Sequence, residues 1–234
     1  MTIKRLAGFL VAAALSVSAT KVIADDDQCR SHVKGEHWTN AFEKCTTAAE
    51  QGDANAQLIL AELYRLGLGV SKDYEQAFRW NSAAAEHGIP SAENNLGMFY
   101  KNGIGVTKNH KKALKWLLRA AEKGDDRAQT NVGKMFADGM GAEQNFSLAY
   151  KWWKKAAKNH NAGAQYNLGT LYASGNGVSR NIESAFMWFM LSAGGGEENA
   201  KLVVDNLAET MTDIQINNAV DRARKCLHSD YKDC

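Results

Sequence analysis

Cys29, His32, His37 and Cys45 place two thiols and two imidazoles close together near the start of the chain. Zinc takes such ligands, but it requires reduced thiolates and a closed tetrahedral shell, and the spacing Cys29-x2-His32-x4-His37-x7-Cys45 fits no familiar finger. Ser31-His32-Val33-Lys34 sets a hydroxyl three residues before an amine, the S-x-x-K arrangement of a serine nucleophile with a nearby base. No S-D-N or K-T-G segment follows, and chance supplies so short a pattern in a Lys-rich chain. The remaining histidines, His87, His110, His160 and His228, fall mostly at polar helix ends or in the tail, with no Ser or Cys nucleophile in phase with them. No G-x-x-x-x-G-K-[ST] or dinucleotide fingerprint occurs. The expectation is a protein that is not an enzyme, with no catalytic residue, metal ligand or cofactor site assigned.

The two further thiols, Cys226 and Cys234, lie at the opposite end of the chain. Four cysteines allow three pairings, and sequence alone does not choose among them. Local pairing, Cys29 with Cys45 and Cys226 with Cys234, closes the shortest loops and suits an oxidising compartment. Residues 1–24 support such a compartment. Lys4 and Arg5 precede an apolar run from Leu6 to Val17, and cleavage after Ala24 or after Ala19 would both fit, which is the layout of a secretory signal peptide. The run is shorter than the ~20 residues that span a bilayer. The expected location is periplasmic or secreted, without stable membrane insertion.

Composition sets wider bounds. The chain has 234 residues, 45% hydrophobic and 23% charged, which excludes global disorder. Net charge is +2, and removing residues 1–24 leaves 25 basic against 26 acidic residues. So even a balance gives no overall electrostatic reason to seek nucleic acid or acidic membranes. One proline against 20 glycines suits helices ended by glycine better than a turn-rich β protein.

The elements that must position any site are written in a fixed period of 36 residues. Ala56, Ala92, Ala128, Ala164 and Ala200 share one phase. Leu60, Leu96, Val132, Leu168 and Val204 follow four residues on, then Tyr64, Tyr100, Phe136 and Tyr172. Gly67, Gly103, Gly139 and Gly175 come next, each followed two residues later by another glycine. A second stripe runs through Ala77, Ala113, Ala149 and Ala185 and then Trp80, Trp116, Trp152 and Trp188. Each period reads as two helices with a glycine-capped turn between them, the alanines allowing close approach and the indoles filling the core. The G-x-G-V loops follow helices, so they read as caps rather than phosphate cradles.

The pattern A-x-x-x-L-G-x-x-Y, then G-x-G-V, then A-x-x-W-x-x-x-A-A-x-x-G stands here as AENNLGMFYKNGIGVTKNHKKALKWLLRAAEKG at 92–124, with copies at 56–88, 128–160 and 164–196. It resembles the Sel-one-like repeat family, a relative of the tetratricopeptide repeats, over about residues 38–227. The resemblance implies an all-α fold, an α/α superhelical solenoid of helix-turn-helix repeats with a concave surface, and a scaffold that assembles other proteins. Some cysteine-rich relatives have been linked to β-lactam binding or hydrolysis, so a β-lactamase-like or cell-wall-active enzyme is one alternative, with Ser31 as its test residue. A peptidoglycan-binding module is another. The expected organisation is a signal peptide at 1–24, an N-terminal cap and half repeat at 25–52, and four repeats at 53–196. A partial repeat with a capping helix and disulfide tail follows at 197–234. In the cap, Thr212 and Asp213 start a helix whose Ile214, Ile216, Ala219 and Ala223 cover the last repeat.

Phase also predicts the concave face. Beside the core position Leu96 lie Asn95 and Asn102, and the equivalent places in later repeats hold Arg127, Asn131, Lys134 and Asn167. Asn95, Asn131 and Asn167 recur as a ladder. An amide offers both donor and acceptor, so it can read a peptide backbone or a carboxylate without charge, though it can equally brace a neighbouring helix. Arg127 and Lys134 add attraction for an acidic partner. The expected partner is a protein or peptide in this groove, with peptidoglycan held open and nucleic acid excluded.

Overall fold

The computed structural model describes residues 28–229, 231 and 234, so the expected signal segment 1–24 lies outside the described residues. Every regular element among them is an α-helix. After the helical residues 28–34 (α1) come α2 (Trp38–Glu50), α3 (Ala54–Leu66), α4 (Tyr74–Glu86) and α5 (Pro90–Asn102). Then follow α6 (His110–Glu122), α7 (Asp126–Asp138), α8 (Phe146–Lys158), α9 (Ala162–Ser174), α10 (Ile182–Gly194), α11 (Glu198–Ala208) and α12 (Asp213–His228). The chain divides into two compact units, one ending at Lys108 and one starting at Asn109. In each, consecutive repeat helices pack against one another, as an all-α repeat solenoid requires, and α12 packs back on α10.

Side-chain caps set where the helices begin. Asp53, Asp125 and Asn161 cap α3, α7 and α9, and Asp73, Asn109, Asn145 and Asn181 cap the alternate helices α4, α6, α8 and α10. α2, preceded by His37, and α5 begin without such a cap. Ile89 offers no side-chain cap to α5, and the chain's single proline, Pro90, stands at the start, where its fixed φ is already helical.

The two glycines of each turn do different work. Gly103 ends α5 in the left-handed region at φ 72°, with its N–H donating to the Phe99 carbonyl. Gly105 also has positive φ, but a Cβ there would collide with the backbone of Tyr74. The second glycine therefore lets the loop lie directly on the head of α4.

Inside the units, Ala77, Ala84, Ala113, Ala120, Ala149, Ala156 and Ala164 are fully buried, and aromatic pairs fill the wider gaps. Phe42–Tyr64, Phe78–Tyr100 and Tyr150–Tyr172 meet edge to face at centroid separations of 5.3, 5.4 and 6.1 Å. Gln57, Gln129 and Gln165, at a common phase, are buried and donate to the carbonyls of Ala49, Ala121 and Ala157 at 3.2, 3.1 and 3.4 Å. Each amide ties a first helix to the end of the helix before it.

Two expectations need correction. The recurrent indoles are not uniformly core. Trp188 is buried, whereas Trp80, Trp116 and Trp152 are only partly so. In the first three repeats the deeper place is one residue on, held by Asn81, Leu117 and Trp153, and in the last both Trp188 and the next residue, Phe189, are buried. In the second unit Gly133 and Gly169 leave room for Trp153 and Phe189, since a Cβ at either would strike the ring. At the C-terminal cap, Ala219 and Ala223 are buried and Ile216 packs on the core, but Ile214 is 74% exposed in the first turn of α12 and covers nothing.

Both ends are tied by disulfides. Cys29–Cys45 joins α1 to α2, and Cys226–Cys234 folds the tail back on α12, with Cα separations of 4.7 and 4.8 Å. Tyr231, within that tail, is buried edge-on to His160 at 4.6 Å.

Candidate partner-binding face

In the second unit the candidate face is carried by α7 and α9. Asn161 donates from Nδ2 to Asp126 Oδ2 at 2.6 Å, which holds the heads of these two first helices together. Asn131 and Asn167 stand at the same phase, each one residue before a fully buried core position, Val132 or Leu168. Both are partly buried, and Asn131 is already engaged within the chain. Lys134 is exposed. Arg127 is exposed too, but its guanidinium lies 3.7 Å from Asp125 Oδ2. That carboxylate also caps α7 through Ala128 N–H at 2.7 Å, so part of the attraction of Arg127 for an anion is spent locally. In the first unit, Asn95 is partly buried on α5 and Asn102 is exposed at its last residue.

The residues considered for catalysis and metal binding are placed differently. Ser31 and Lys34 are exposed on the short α1. The Cys29 and Cys45 sulfurs are joined to each other, which removes the thiolates a zinc site would use. His32 and His37 face each other edge-on at 6.2 Å. His160 takes a left-handed conformation at φ 59°, where the corresponding turns use Gly52, Gly88, Gly124 and Gly196, and packs under the tail.

Sequence reasoning did not pick out the ground beneath that tail. A cavity of about 330 Å³ lies there, lined by His160, Gln165, Met190, Leu191, Ala223, Leu227 and Tyr231. Beside the tail, Lys154 donates to the main-chain oxygen of Cys234 and sits 5.1 Å from the centre of the Trp188 ring. Burial first, then Lys158 and Arg222, lowers the affinity of its amine for a proton. The signal that could have found this region is His160 itself, a non-glycine at a glycine phase.

Four Sel1 repeats are recognised, at residues 54–89, 90–125, 126–161 and 162–196. No curated protein matches the chain. Among solved structures it is similar to a Sel1 repeat protein from Oxalobacter formigenes, with 27% identity over 76% of this chain and 73% of that one, at a TM-score of 0.72. It is also similar to c5321, a protective antigen present in uropathogenic Escherichia coli strains that displays an SLR fold. The identity is 27% over 93% of this chain at a TM-score of 0.74, and the chain spans about half of that protein's length (52%). The immunity protein PA5088 from Pseudomonas aeruginosa, 19% identical over 87% of this chain and 83% of that one, shares the fold at a TM-score of 0.55. The chain therefore belongs to the Sel1 repeat family, whose helical-repeat scaffolds bind protein partners.

Proposed function

We propose that this is an exported scaffold that holds a protein or peptide partner on the first-helix face of its repeats, at the bacterial envelope or against a host. The observation that carries the reading is the phase-matched pair Asn131 and Asn167 on α7 and α9, whose heads are hydrogen-bonded together. Half-buried amides held on rigid helices lose little freedom on binding and can pair with an extended backbone. Lys134, and Arg127 as far as Asp125 leaves it available, favour an acidic segment. Asn95 and Asn102 offer the same chemistry on α5 of the first unit.

Export rests on two supports. Residues 1–24 are proposed as the removable address, and two disulfides suit an oxidising compartment. Residues 25–52 and 197–234 then close the two ends of the repeats as caps. The description of c5321 as a protective antigen supports a place accessible to a host.

The test is a photo-crosslinking residue at Asn167 in the native envelope, with one at Lys201 on α11 as control. The Asn167 probe is expected to trap one partner that the control does not. Asn131→Ala with Asn167→Ala should weaken that capture about tenfold, the worth of two modest hydrogen bonds, with helicity unchanged. Equal trapping at both positions, or capture indifferent to the double substitution, would reject the groove.

A further inference from the structure

The even charge of the whole chain conceals a segregated patch on the second helices of the second unit. α6 carries Lys111, Lys112, Lys115 and Arg119 against the single acid Glu122. α8 carries Lys151, Lys154, Lys155 and Lys158 and no acid. The repeat itself does not demand this. At the same phase, α4 has Arg79 against Glu75 and Glu86, and α10 has Glu183 and no cation.

Seven of these cations are exposed, whereas Lys154 is partly buried and turned to the main-chain oxygen of Cys234. Lys111 and Lys115 are one turn apart on α6, as are Lys151 and Lys155 on α8, and all four are exposed. The loop leading into α8 lies on the head of α6, where a Cβ on Gly141 would strike the His110 backbone. Trp116 and Trp152, partly buried, border the patch at one phase. Arg119 stands over the first ring at 4.5 Å and Lys155 over the second at 4.3 Å.

We propose that the α6–α8 face docks on an anionic phospholipid bilayer by peripheral contact, without insertion. Seven of the eight cations on the two helices are Lys rather than Arg. Protein interfaces are depleted in Lys and anchored by desolvated apolar or Arg hot spots. Neither helix is among those with exposed large apolar side chains. Point charges on flexible stems suit a fluid sheet of phosphodiester groups, which needs no fixed fork geometry. Indoles at the border suit headgroup depth. This surface belongs to the second helices and is separate from the first-helix face proposed for the partner.

The test is co-sedimentation of the full chain with phosphatidylglycerol/phosphatidylcholine vesicles, using pure phosphatidylcholine vesicles to report any contribution from the N-terminal apolar run. Binding is expected on the anionic vesicles only, falling steeply with added salt. Lys115→Gln with Lys151→Gln should lower the partition coefficient about thirtyfold. Lys201→Gln with Lys225→Gln, exposed positions on α11 and α12, should change it far less. Asn131→Ala with Asn167→Ala should leave it unchanged, so failure of the groove and failure of this face can be told apart. Equal binding to neutral vesicles, equal loss in the Lys201/Lys225 control, or tighter retention of poly-glutamate or duplex DNA at matched charge would overturn the proposal.

Discussion

At the scale of single residues, the recurrent buried glutamines show how closely matched the opposing terms are. The Gln129 side chain donates to Ala121, while its own carbonyl oxygen is buried without a partner. Replacement by Leu loses one hydrogen bond, about 1 kcal/mol, and removes an unsatisfied acceptor of comparable cost. Replacement by Glu aims a carboxylate at a carbonyl. Where the second repeat has Glu93 at this phase, that side chain is fully buried and engaged within the chain. Urea denaturation should find Gln129→Leu within about 1 kcal/mol of the parent and Gln129→Glu destabilised by about 3 kcal/mol or more. Tyr150 gives a pH-dependent counterpart. Burial, then its hydrogen bond with Tyr172, raises the phenol well above its ordinary value. Its folded pKa is above its unfolded one, so its contribution is complete below about pH 10 and is lost as pH rises beyond that. Tyr150→Phe should cost about 1 kcal/mol at neutral pH. It should also flatten the alkaline fall in stability by up to about 1.4 kcal/mol per pH unit. An unchanged alkaline slope in stability measured against pH would contradict the assignment.

At the scale of helices and turns, the paired glycines allow a graded test. Gly103→Ala strains one left-handed residue, a cost of about 1–2 kcal/mol. Gly105→Ala adds a collision with the Tyr74 backbone, which the loop cannot relieve without leaving α4, and should cost about 3 kcal/mol or more. Equal midpoints for the two variants in thermal melts would refute the division of labour. These glycines were legible in the sequence because period and chemistry coincide at one phase. The core indoles were misread because recurrence reports a shared environment, not its depth. The buried place one residue on holds Asn81, Leu117, Trp153 and Phe189, an amide, an aliphatic and two different aromatic side chains that no self-alignment brings out. Ile214 failed for a related reason: helical spacing assigns a residue to a face but does not say how far the neighbouring helix extends to meet it. The Asn face was legible in phase, since Asn131 and Asn167 recur, but periodicity carries no record of a partner. The Lys-rich face is confined to two neighbouring repeats, where Lys115 shares a phase with Lys151 and Arg119 with Lys155, and it averages away in the net charge.

At the scale of the whole molecule, a repeat array has no central core, and its stability is a sum of helix-pair terms and neighbour interfaces. Local opening should therefore begin where an interface has a neighbour on one side only. The disulfides lie at those places. Closing the Cys29–Cys45 loop is worth about 3 kcal/mol and the shorter Cys226–Cys234 loop slightly less, in the chain-entropy picture. At the C-terminal end α11 has little of its own to contribute, with Ala200 its one buried residue among the described positions. The tail relies on Tyr231 against His160 and on the disulfide. Hydrogen exchange followed by mass spectrometry, before and after reduction with a dithiol, reads this out. Reduction should raise exchange in α1 and in the last turns of α12 by about a hundredfold, the equivalent of about 3 kcal/mol. α8 and α9, flanked on both sides within their unit, should change little. The variants Cys29→Ser with Cys45→Ser and Cys226→Ser with Cys234→Ser separate the two ends, since each should loosen its own end and leave the other protected. Uniform loss of protection along the chain on breaking either bond would mean that the molecule unfolds as one cooperative body, and the additive description of its stability would fail.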